Sequence, residues 1–278
     1  MSVRGGEGLN SSELLEVAVE AVKKAKEAAC EALVKGGRAR VKVGASGDET
    51  LEADEAAEEA ILEVLKARLQ GATVISEELG IADLGGGGPP YVFVDPLDGS
   101  LNAKRGYPCF SSMVAFASKP RLIDVQAMAV VNMLTGDLYW AVKGEGAFLN
   151  GVKVSASSCA KLSEALVSLD FSKRNRPEGY VSKIASIIEE ARHVRFLGSN
   201  SLEVCLVACG ACDAFIDLRG GLRLLDVAGP LLMVREAGGI VHVEPGGLEV
   251  EVDVKRKASL IAASTDKLLH EILGLVKA

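Results

Sequence analysis

The sequence lacks several features that would assign a function at once. Aromatic residues make up only 4% of its 278 residues, and three histidines with six cysteines offer neither a second CxxC pair nor a His pair for zinc. With 31 basic and 38 acidic residues, the net charge of −7 does not favour binding to nucleic acid or a membrane surface. No apolar run approaches a membrane span, and no signal peptide is recognisable. We therefore expect a cytoplasmic protein with neither nucleic acid nor membrane as a partner.

One short cysteine motif, Cys209-Gly-Ala-Cys212, has the spacing of redox and zinc sites. It lies where an apolar helix is predicted to end at Gly210 and turn into a strand. Small residues belong at such a junction, so buried thiols are the favoured interpretation. A disulfide between Cys209 and Cys212 stays open.

The composition that is present, 49% hydrophobic and 25% charged residues, is typical of a globular protein with a full core. Helical periodicity follows a capping residue at Asn10 and returns from Glu52 to Leu69, and alternating strands follow Tyr91. Strands and helices then alternate. We expect a single catalytic unit with an α+β half, residues 1–154, and an α/β half, residues 155–278.

The most informative stretch is YVFVDPLDGSLN, in which a core strand runs directly into Asp95 and Asp98. Two carboxylates three residues apart repel each other, so we expect a positive group between them. Other acids stand at strand ends and helix starts, namely Glu77, Asp54 and Asp226. Each alone is typical of a helix cap or a solvated charge. Together they form the ligand set of a hard cation such as Mg²⁺.

An anion site is predicted next to these carboxylates. Gly99 lets the backbone approach a ligand, and the N–H groups from Ser100 onward begin a helix-like turn. A cation cluster beside an anion site indicates a hydrolase of phosphate esters, because bound metals activate water and neutralise phosphoryl charge.

Three segments carry a resemblance to a known family: ISEELG, DPLDGSLN and LDVAGPLLMVREAGG, beginning at residues 75, 95 and 225. In order and spacing they resemble the signatures of the inositol monophosphatase superfamily. The pattern is most similar to archaeal members that hydrolyse both fructose 1,6-bisphosphate and inositol 1-phosphate. The resemblance implies a layered α-β-α-β-α sandwich, a small phosphate ester as substrate and a homodimer.

The same resemblance assigns roles to individual residues. Two or three Mg²⁺ ions, or Mn²⁺ in their place, would be bound by Glu77, Asp95, the Leu97 carbonyl, Asp98 and Asp226. Metal-activated water would attack directly, and the catalytic group would be Asp54, Glu77 and Ser100. Substrate would contact Asp98, Gly99, Ser100, Arg174, Gly198, Ser199, Asn200, Arg219 and Arg223.

Two departures from the family pattern bear on the substrate. Leu225 replaces a usual Trp, which we interpret as a packing change, and Arg219 lies near the position of an acid in inositol-specific members. Arg219 and Arg223 could grip a second phosphate in bidentate fashion. Alternatively, they form salt bridges, for instance with Asp213 or Asp217.

Two other functions stay open at this point. An adenosine 3′,5′-bisphosphate 3′-phosphatase would share the signatures but would favour an aromatic residue in the pocket for base stacking. A non-catalytic sugar-phosphate-binding protein would be expected to have lost one of the acidic ligands, and all are present in this sequence.

Overall fold

The computed structural model describes residues 9–47, 49–173 and 175–277. The helices within these ranges are α1 Ser11–Val34, α2 Glu52–Arg68, α3 Ser100–Arg105, α4 Tyr180–Glu190, α5 Asn200–Ala208, α6 Leu224–Glu236 and α7 Asp266–Lys277. The strands are β1 Arg40–Val43, β2 Glu49–Leu51, β3 Ala72–Ser76, β4 Gly80–Leu84, β5 Tyr91–Asp98, β6 Ser111–Ala117, β7 Val125–Asn132, β8 Leu138–Val142, β9 Gly146–Leu149, β10 Val152–Val154, β11 Leu166–Leu169, β12 His193–Arg195, β13 Ala214–Arg223, β14 Ile240–Glu244 and β15 Lys257–Ala263.

The first two helices form where the sequence predicts them. The Asn10 side chain accepts the backbone N–H groups of Ser12 and Glu13 at 3.0 Å each, and the Glu13 carboxylate accepts the Asn10 N–H at 2.9 Å. This reciprocal cap starts α1, because it satisfies N–H groups that have no partner within the helix. The apolar faces of α1 and α2 pack together against one face of an eight-stranded sheet.

In that sheet the strand order is β10-β9-β8-β7-β6-β5-β3-β4. Strand β5 continues past the predicted core segment and pairs Asp95 with Met113 and Asp98 with Ser111 of β6. Three steps along β5 therefore match two steps along β6, which is a β-bulge. In a regular strand Asp95 and Asp98 would face opposite sides. The extra residue turns both toward the same side.

A second sheet of five strands has the order β12-β11-β13-β15-β14, and its first three strands are parallel. Helices α5 and α6 share one apolar core with both sheets, while α4 and α7 cover the remaining face of the five-stranded sheet. The layers are therefore α-β-α-β-α, and the predicted fold class is confirmed.

Helix α6 lies directly on the eight-stranded sheet at Gly229, where a Cβ would meet the Cβ atoms of Ala115 and Met128 at 3.1 Å. The next residue, Pro230, has no backbone N–H, so the Asp226 carbonyl four residues earlier loses its helical donor. The Ser201 hydroxyl of α5 donates to that carbonyl at 2.7 Å. A polar contact between α5 and α6 thus replaces the bond that proline removes.

The cysteines of the CxxC motif are free thiols. Cys212 is buried, and its Sγ lies 3.2 Å from the carbonyl oxygens of Leu166 and Ala214, while Cys209 is half-buried. The structure thus places this motif in a packed junction, without a disulfide. Among the described helices, none combines the length and apolar character needed to span a bilayer.

Candidate active site

Three acidic side chains from three separate elements meet at one point. Glu77 follows β3, Asp95 lies on β5 and Asp226 is in the first turn of α6. One carboxylate oxygen of each lies within 4.8 Å of the others, and all three residues are buried. The convergence expected from the three sequence segments is therefore present. These three carboxylates and Arg223, which contacts two of them, form what we call the Arg223 cluster.

Asp95 is the unusual member of this cluster. The residue is 0% exposed, yet neither carboxylate oxygen has a hydrogen-bond partner among the residues that the structure describes. Burial, followed by the charges of Glu77 and Asp226, raises the pKa of Asp95 well above its ordinary value. Unpaired carboxylate oxygens beside two more carboxylates are the donors that hard divalent cations such as Mg²⁺ and Mn²⁺ prefer. The residues present therefore fit a divalent ion.

Arg223 brings a positive charge into the same cluster. One guanidinium nitrogen pairs with the Glu77 carboxylate, and Nε lies 3.1 and 3.2 Å from the two Asp226 oxygens. Burial raises the pKa of Glu77, and the charge of Arg223 opposes that rise without cancelling it. This residue was predicted to contact substrate, and the structure brings it to the predicted metal ligands.

Asp98 faces the same side of β5 but is directed at helix α5. One oxygen accepts the Asn200 N–H at 3.2 Å, and the other accepts the Ser199 hydroxyl at 2.5 Å and the Ser201 N–H at 2.8 Å. A carboxylate is favourable at a helix N-terminus, where N–H groups lack partners. Asp98 lies outside the group of three carboxylates found among the described residues. Its role as a metal ligand stays a prediction.

The predicted catalytic residues Asp54 and Ser100 are in direct contact. The Ser100 hydroxyl lies 2.9 Å from Asp54 Oδ1 and 2.9 Å from the Leu97 carbonyl oxygen. The other Asp54 oxygen accepts the Leu51 N–H at 2.5 Å, which fixes the carboxylate at the start of α2. Burial raises the pKa of Asp54 to about 7. Asp54 can therefore gain or lose a proton near neutral pH.

The predicted substrate loop, residues 198–200, is attached to α3. Gly99 has a φ of 88°, and a Cβ there would meet the carbonyl oxygens of Cys109 at 3.1 Å and Gly198 at 3.2 Å. The Asn102 side-chain amide donates to the carbonyls of Leu197 at 2.8 Å and Gly198 at 3.2 Å. Asn102 was not predicted as a site residue. The feature of the sequence that pointed to it was its place at the end of DPLDGSLN.

The loop after β1 contacts the end of β3, where Glu77 and Glu78 lie. The Ala45 N–H donates to the Glu78 carbonyl at 3.1 Å, and the Ser46 N–H donates to the Glu77 carbonyl at 3.0 Å. The Ser46 hydroxyl also lies 3.4 Å from the Glu77 carboxylate. This loop therefore borders the Arg223 cluster.

Arg219 belongs to a different group, which we call the Arg219 cluster, formed with Asp170 and Asp217. Its guanidinium contacts both carboxylates, with a separation of 2.6 Å to Asp217, and the Arg219 side chain is only 6% exposed. The salt bridge to Asp217 that the alternative interpretation expected is present. Contact of Arg219 with substrate stays a prediction, and Arg174 lies outside the described residues.

Comparison with known proteins identifies the family. A family model described as the inositol monophosphatase family matches residues 10–277. The chain belongs to this family. It is 40% identical over 244 residues to a fructose-1,6-bisphosphatase/inositol-1-monophosphatase of Methanothermobacter thermautotrophicus, covering 84% of this chain and 85% of that one. The family resemblance seen in the sequence is confirmed.

Two further similarities extend this result. A bifunctional NADP phosphatase/NAD kinase of Methanocaldococcus jannaschii is 32% identical over 266 residues, which cover 84% of this chain but only 45% of that longer protein. A solved structure from Pyrococcus horikoshii, described as similar to inositol-1-monophosphatase, superposes with a TM-score of 0.80 at 28% identity. That match covers 97% of this chain and 100% of the other. The inositol monophosphatase family member described here is therefore a phosphatase of sugar phosphates.

Proposed function

We propose that this family member is a divalent-metal-dependent phosphatase, with Mg²⁺ as its ion and with fructose 1,6-bisphosphate and inositol 1-phosphate as substrates. The observation that carries the proposal is Asp95, a fully buried carboxylate without a hydrogen-bond partner beside Glu77 and Asp226. A relative at 40% identity is named for both substrate activities. The expected turnover needs no protein nucleophile.

The proposed ligands are Glu77, Asp95, Asp226, Asp98 and the Leu97 carbonyl. Divalent ions, when bound, would lower the pKa of a water and neutralise phosphoryl charge. Glu77 and Asp226 come from different segments, and their convergence with Asp95 would hold the ion. Burial, followed by the charge of Asp226, raises the pKa of Asp98 to about 7, and we assign this carboxylate to the set because Asp226 is its neighbour.

Asp54 and Ser100 form the proton-handling pair of the proposal. The hydroxyl of Ser100 donates to Asp54 in the present geometry, and its lone pairs then accept a hydrogen bond from the attacking water. With a pKa of about 7, Asp54 can take up the proton that the water releases through Ser100. The N–H groups of Gly99 and Ser100 are proposed to hold the phosphate.

The test is a phosphate-release assay on protein stripped with a chelator, before and after Mg²⁺ is added. We expect release from fructose 1,6-bisphosphate and inositol 1-phosphate only after the addition. Asp95→Asn is expected to abolish release from both substrates. Metal-independent release at the full rate, or none from any sugar phosphate with excess Mg²⁺, would contradict the proposal.

A nucleotide phosphatase is the second candidate, and an exposed aromatic pair favours it. Phe171 and Phe196 follow the ends of the adjacent parallel strands β11 and β12, with ring centres 5.2 Å apart and each residue 39% exposed. Ligands of open α/β sheets bind beyond such strand ends. Phe196 also lies two residues before Gly198, so the pair borders the predicted substrate loop.

An aromatic surface of this kind would accept the base of a nucleotide bisphosphate or of NADP⁺, a substrate class named for one relative. The discriminating variant is Phe196→Leu, which keeps apolar bulk and removes the ring. If the protein is a nucleotide phosphatase, the KM of Phe196→Leu for NADP⁺ or adenosine 3′,5′-bisphosphate should rise about tenfold. This is equivalent to about 1.4 kcal/mol of lost stacking. KM for inositol 1-phosphate is expected to stay unchanged.

We also propose that the protein forms a homodimer, as the family resemblance implies. Light scattering coupled to size exclusion at micromolar concentration measures the mass directly. A mass near 58 kDa, twice the 29.0 kDa of the chain, is expected. A mass near that of one chain would contradict it.

A further inference from the structure

We propose that Arg223 is a built-in competitor of the divalent ion, which must displace the guanidinium from Glu77 and Asp226 in order to bind there. The inference rests on the proposed function, because it assumes that these carboxylates are metal ligands. It adds a role for Arg223 that precedes any contact with substrate.

The contacts of Arg223 fall on the proposed ligands. Its guanidinium pairs with Glu77, while Nε contacts both oxygens of Asp226 at 3.1 and 3.2 Å. Asp95, the third member, has no hydrogen-bond donor on either oxygen. The cluster is therefore divided: two carboxylates are neutralised by a residue of the chain, and one is left for an external cation.

An ion and Arg223 cannot use these oxygens in the same way. A divalent ion that binds Glu77, Asp95 and Asp226 would draw on the lone pairs that now accept the guanidinium N–H groups. Two cations sharing the same carboxylates also repel each other. We therefore expect ion binding to break the contacts of Arg223 with Glu77 and Asp226, so that the energy of those contacts is subtracted from the affinity for the ion.

The position of Arg223 permits this displacement. It is the last residue of β13 and the residue immediately before α6, with an extended backbone at φ −72° and ψ 129°. Its side chain is 12% exposed, so it is not sealed from solvent. Rotation of the side chain would not require α6 to unwind. Once displaced, the guanidinium is available to phosphoryl oxygens, so its predicted contact with substrate depends on prior ion binding.

Arg219 provides a matched control on the same strand. It is also buried and paired with two carboxylates, at four positions before Arg223, but its contacts are with Asp170 and Asp217. Loss of Arg219 removes the same unit of charge and leaves the carboxylates of the Arg223 cluster in place. A comparison of the two variants therefore separates direct competition from a general change in charge.

The experiment is calorimetric titration of Mg²⁺ into metal-stripped wild type, Arg223→Met and Arg219→Met without substrate. We expect Arg223→Met to bind Mg²⁺ at least about tenfold more tightly, equivalent to about 1.4 kcal/mol, and Arg219→Met to keep the wild-type Kd. Thermal unfolding supplies a second readout. Without metal the midpoint of Arg223→Met should fall below that of wild type, and saturating Mg²⁺ should remove the difference.

Arg223→Lys keeps the charge but loses the planar fork, so its Kd is expected to lie between those of wild type and Arg223→Met. This variant also keeps the test informative if Arg223→Met does not fold. An unchanged or weaker Kd in both Arg223 variants would overturn the inference, as would equal tightening in Arg219→Met. A wild type that binds no Mg²⁺ would instead overturn the proposed function itself.

Discussion

The Arg219 cluster and the Arg223 cluster each place an arginine of strand β13 among carboxylates. They differ in whether every carboxylate oxygen has a hydrogen-bond partner. In the Arg219 cluster, one Asp170 oxygen accepts the Ser172 N–H at 2.8 Å and the other contacts Arg219. Both Asp217 oxygens accept N–H groups of Arg219, at 3.0 and 2.6 Å. In the Arg223 cluster, Asp95 has no donor on either oxygen.

That difference separates a structural ion pair from a site for an external ion. Buried carboxylates are costly unless each oxygen is paired, and the Arg219 cluster meets this requirement within the chain. The Arg223 cluster does not, because an unpaired carboxylate is held beside two others by β3, β5 and α6. Complete pairing indicates stability, whereas incomplete pairing at a fixed position indicates a ligand.

Asp95→Asn should produce the largest effect and should separate activity from stability. Turnover with Mg²⁺ is expected to fall at least about a thousandfold, the scale seen when a group that stabilises transition-state charge is removed. The free energy of unfolding without metal should stay constant or rise, because the substitution removes a buried carboxyl group whose charged form is unfavourable at that position. Phosphate release and urea unfolding in chelator measure the two quantities. A strongly destabilised variant would show that Asp95 has a structural partner.

Asp217→Asn is the counterpart in the Arg219 cluster and should act in the opposite sense. Loss of one partner of a buried ion pair is expected to lower the free energy of unfolding by about 3 kcal/mol. The Kd for Mg²⁺ should not change, because Asp217 contacts none of the proposed ligands in the described hydrogen bonds and ion pairs. Urea unfolding and calorimetry check both expectations. A changed Kd with unchanged stability would remove the distinction between the clusters.

The dependence of stability on pH is a further measure of buried acids, and it can be followed at Asp54. Burial beside the active site raises the pKa of Asp54 to about 7. An acid with a raised native pKa holds its proton more tightly in the native than in the unfolded protein. Stability is therefore greatest below the unfolded pKa and declines as the pH rises toward 7. We expect wild type without metal to lose about 3 kcal/mol more than Asp54→Asn between pH 4.5 and 7.5. Identical pH profiles for the two proteins would contradict this.

Ser201→Ala should have the smallest effect, since it removes one hydroxyl that serves the Asp226 carbonyl. A loss of about 1 kcal/mol in unfolding free energy is expected, with weaker binding of Mg²⁺. Ser264→Ala is the control, because its hydroxyl donates at 3.2 Å to the Cys159 carbonyl, which also accepts the Thr265 hydroxyl at 2.7 Å. The control should lose less stability, since that carbonyl keeps a donor, and should keep its Kd. Equal Kd values in both variants would show that the contact of Ser201 does not position Asp226.

Periodicity predicted much of the fold because those elements depend on local sequence. The cap at Asn10 and the apolar face of α1 are both local features, and the predicted start of α2 at Glu52 is also observed. Convergence of Glu77, Asp95 and Asp226 followed from acids at element ends and from the family resemblance. The start of α6 was predicted two residues late, at Asp226, because the apolar run Leu224-Leu225 is equally compatible with a strand.

Side-chain partners were less predictable because they depend on contacts distant in sequence. Asp98 is directed at α5, which begins about a hundred residues later, and the bulge that orients it depends on the pairing of β5 with β6. Arg219 and Arg223 share one strand and similar sequence surroundings. Asp217 lies two residues from Arg219 and was named from the sequence. Asp170 and Glu77 are distant from their arginines in sequence, and no local pattern encodes their positions.

Ser201 contacts the acids of two layers at once, since its N–H serves Asp98 and its hydroxyl serves the residue that carries the Asp226 carboxylate. The loop immediately before it is the segment proposed to face the substrate. Under the proposed function, selectivity for the alcohol part of the ester and preference for the ion would therefore be coupled traits. We expect that exchanging this loop for one from a relative with a different substrate also alters which cation supports turnover, so directed evolution would have to select for both together.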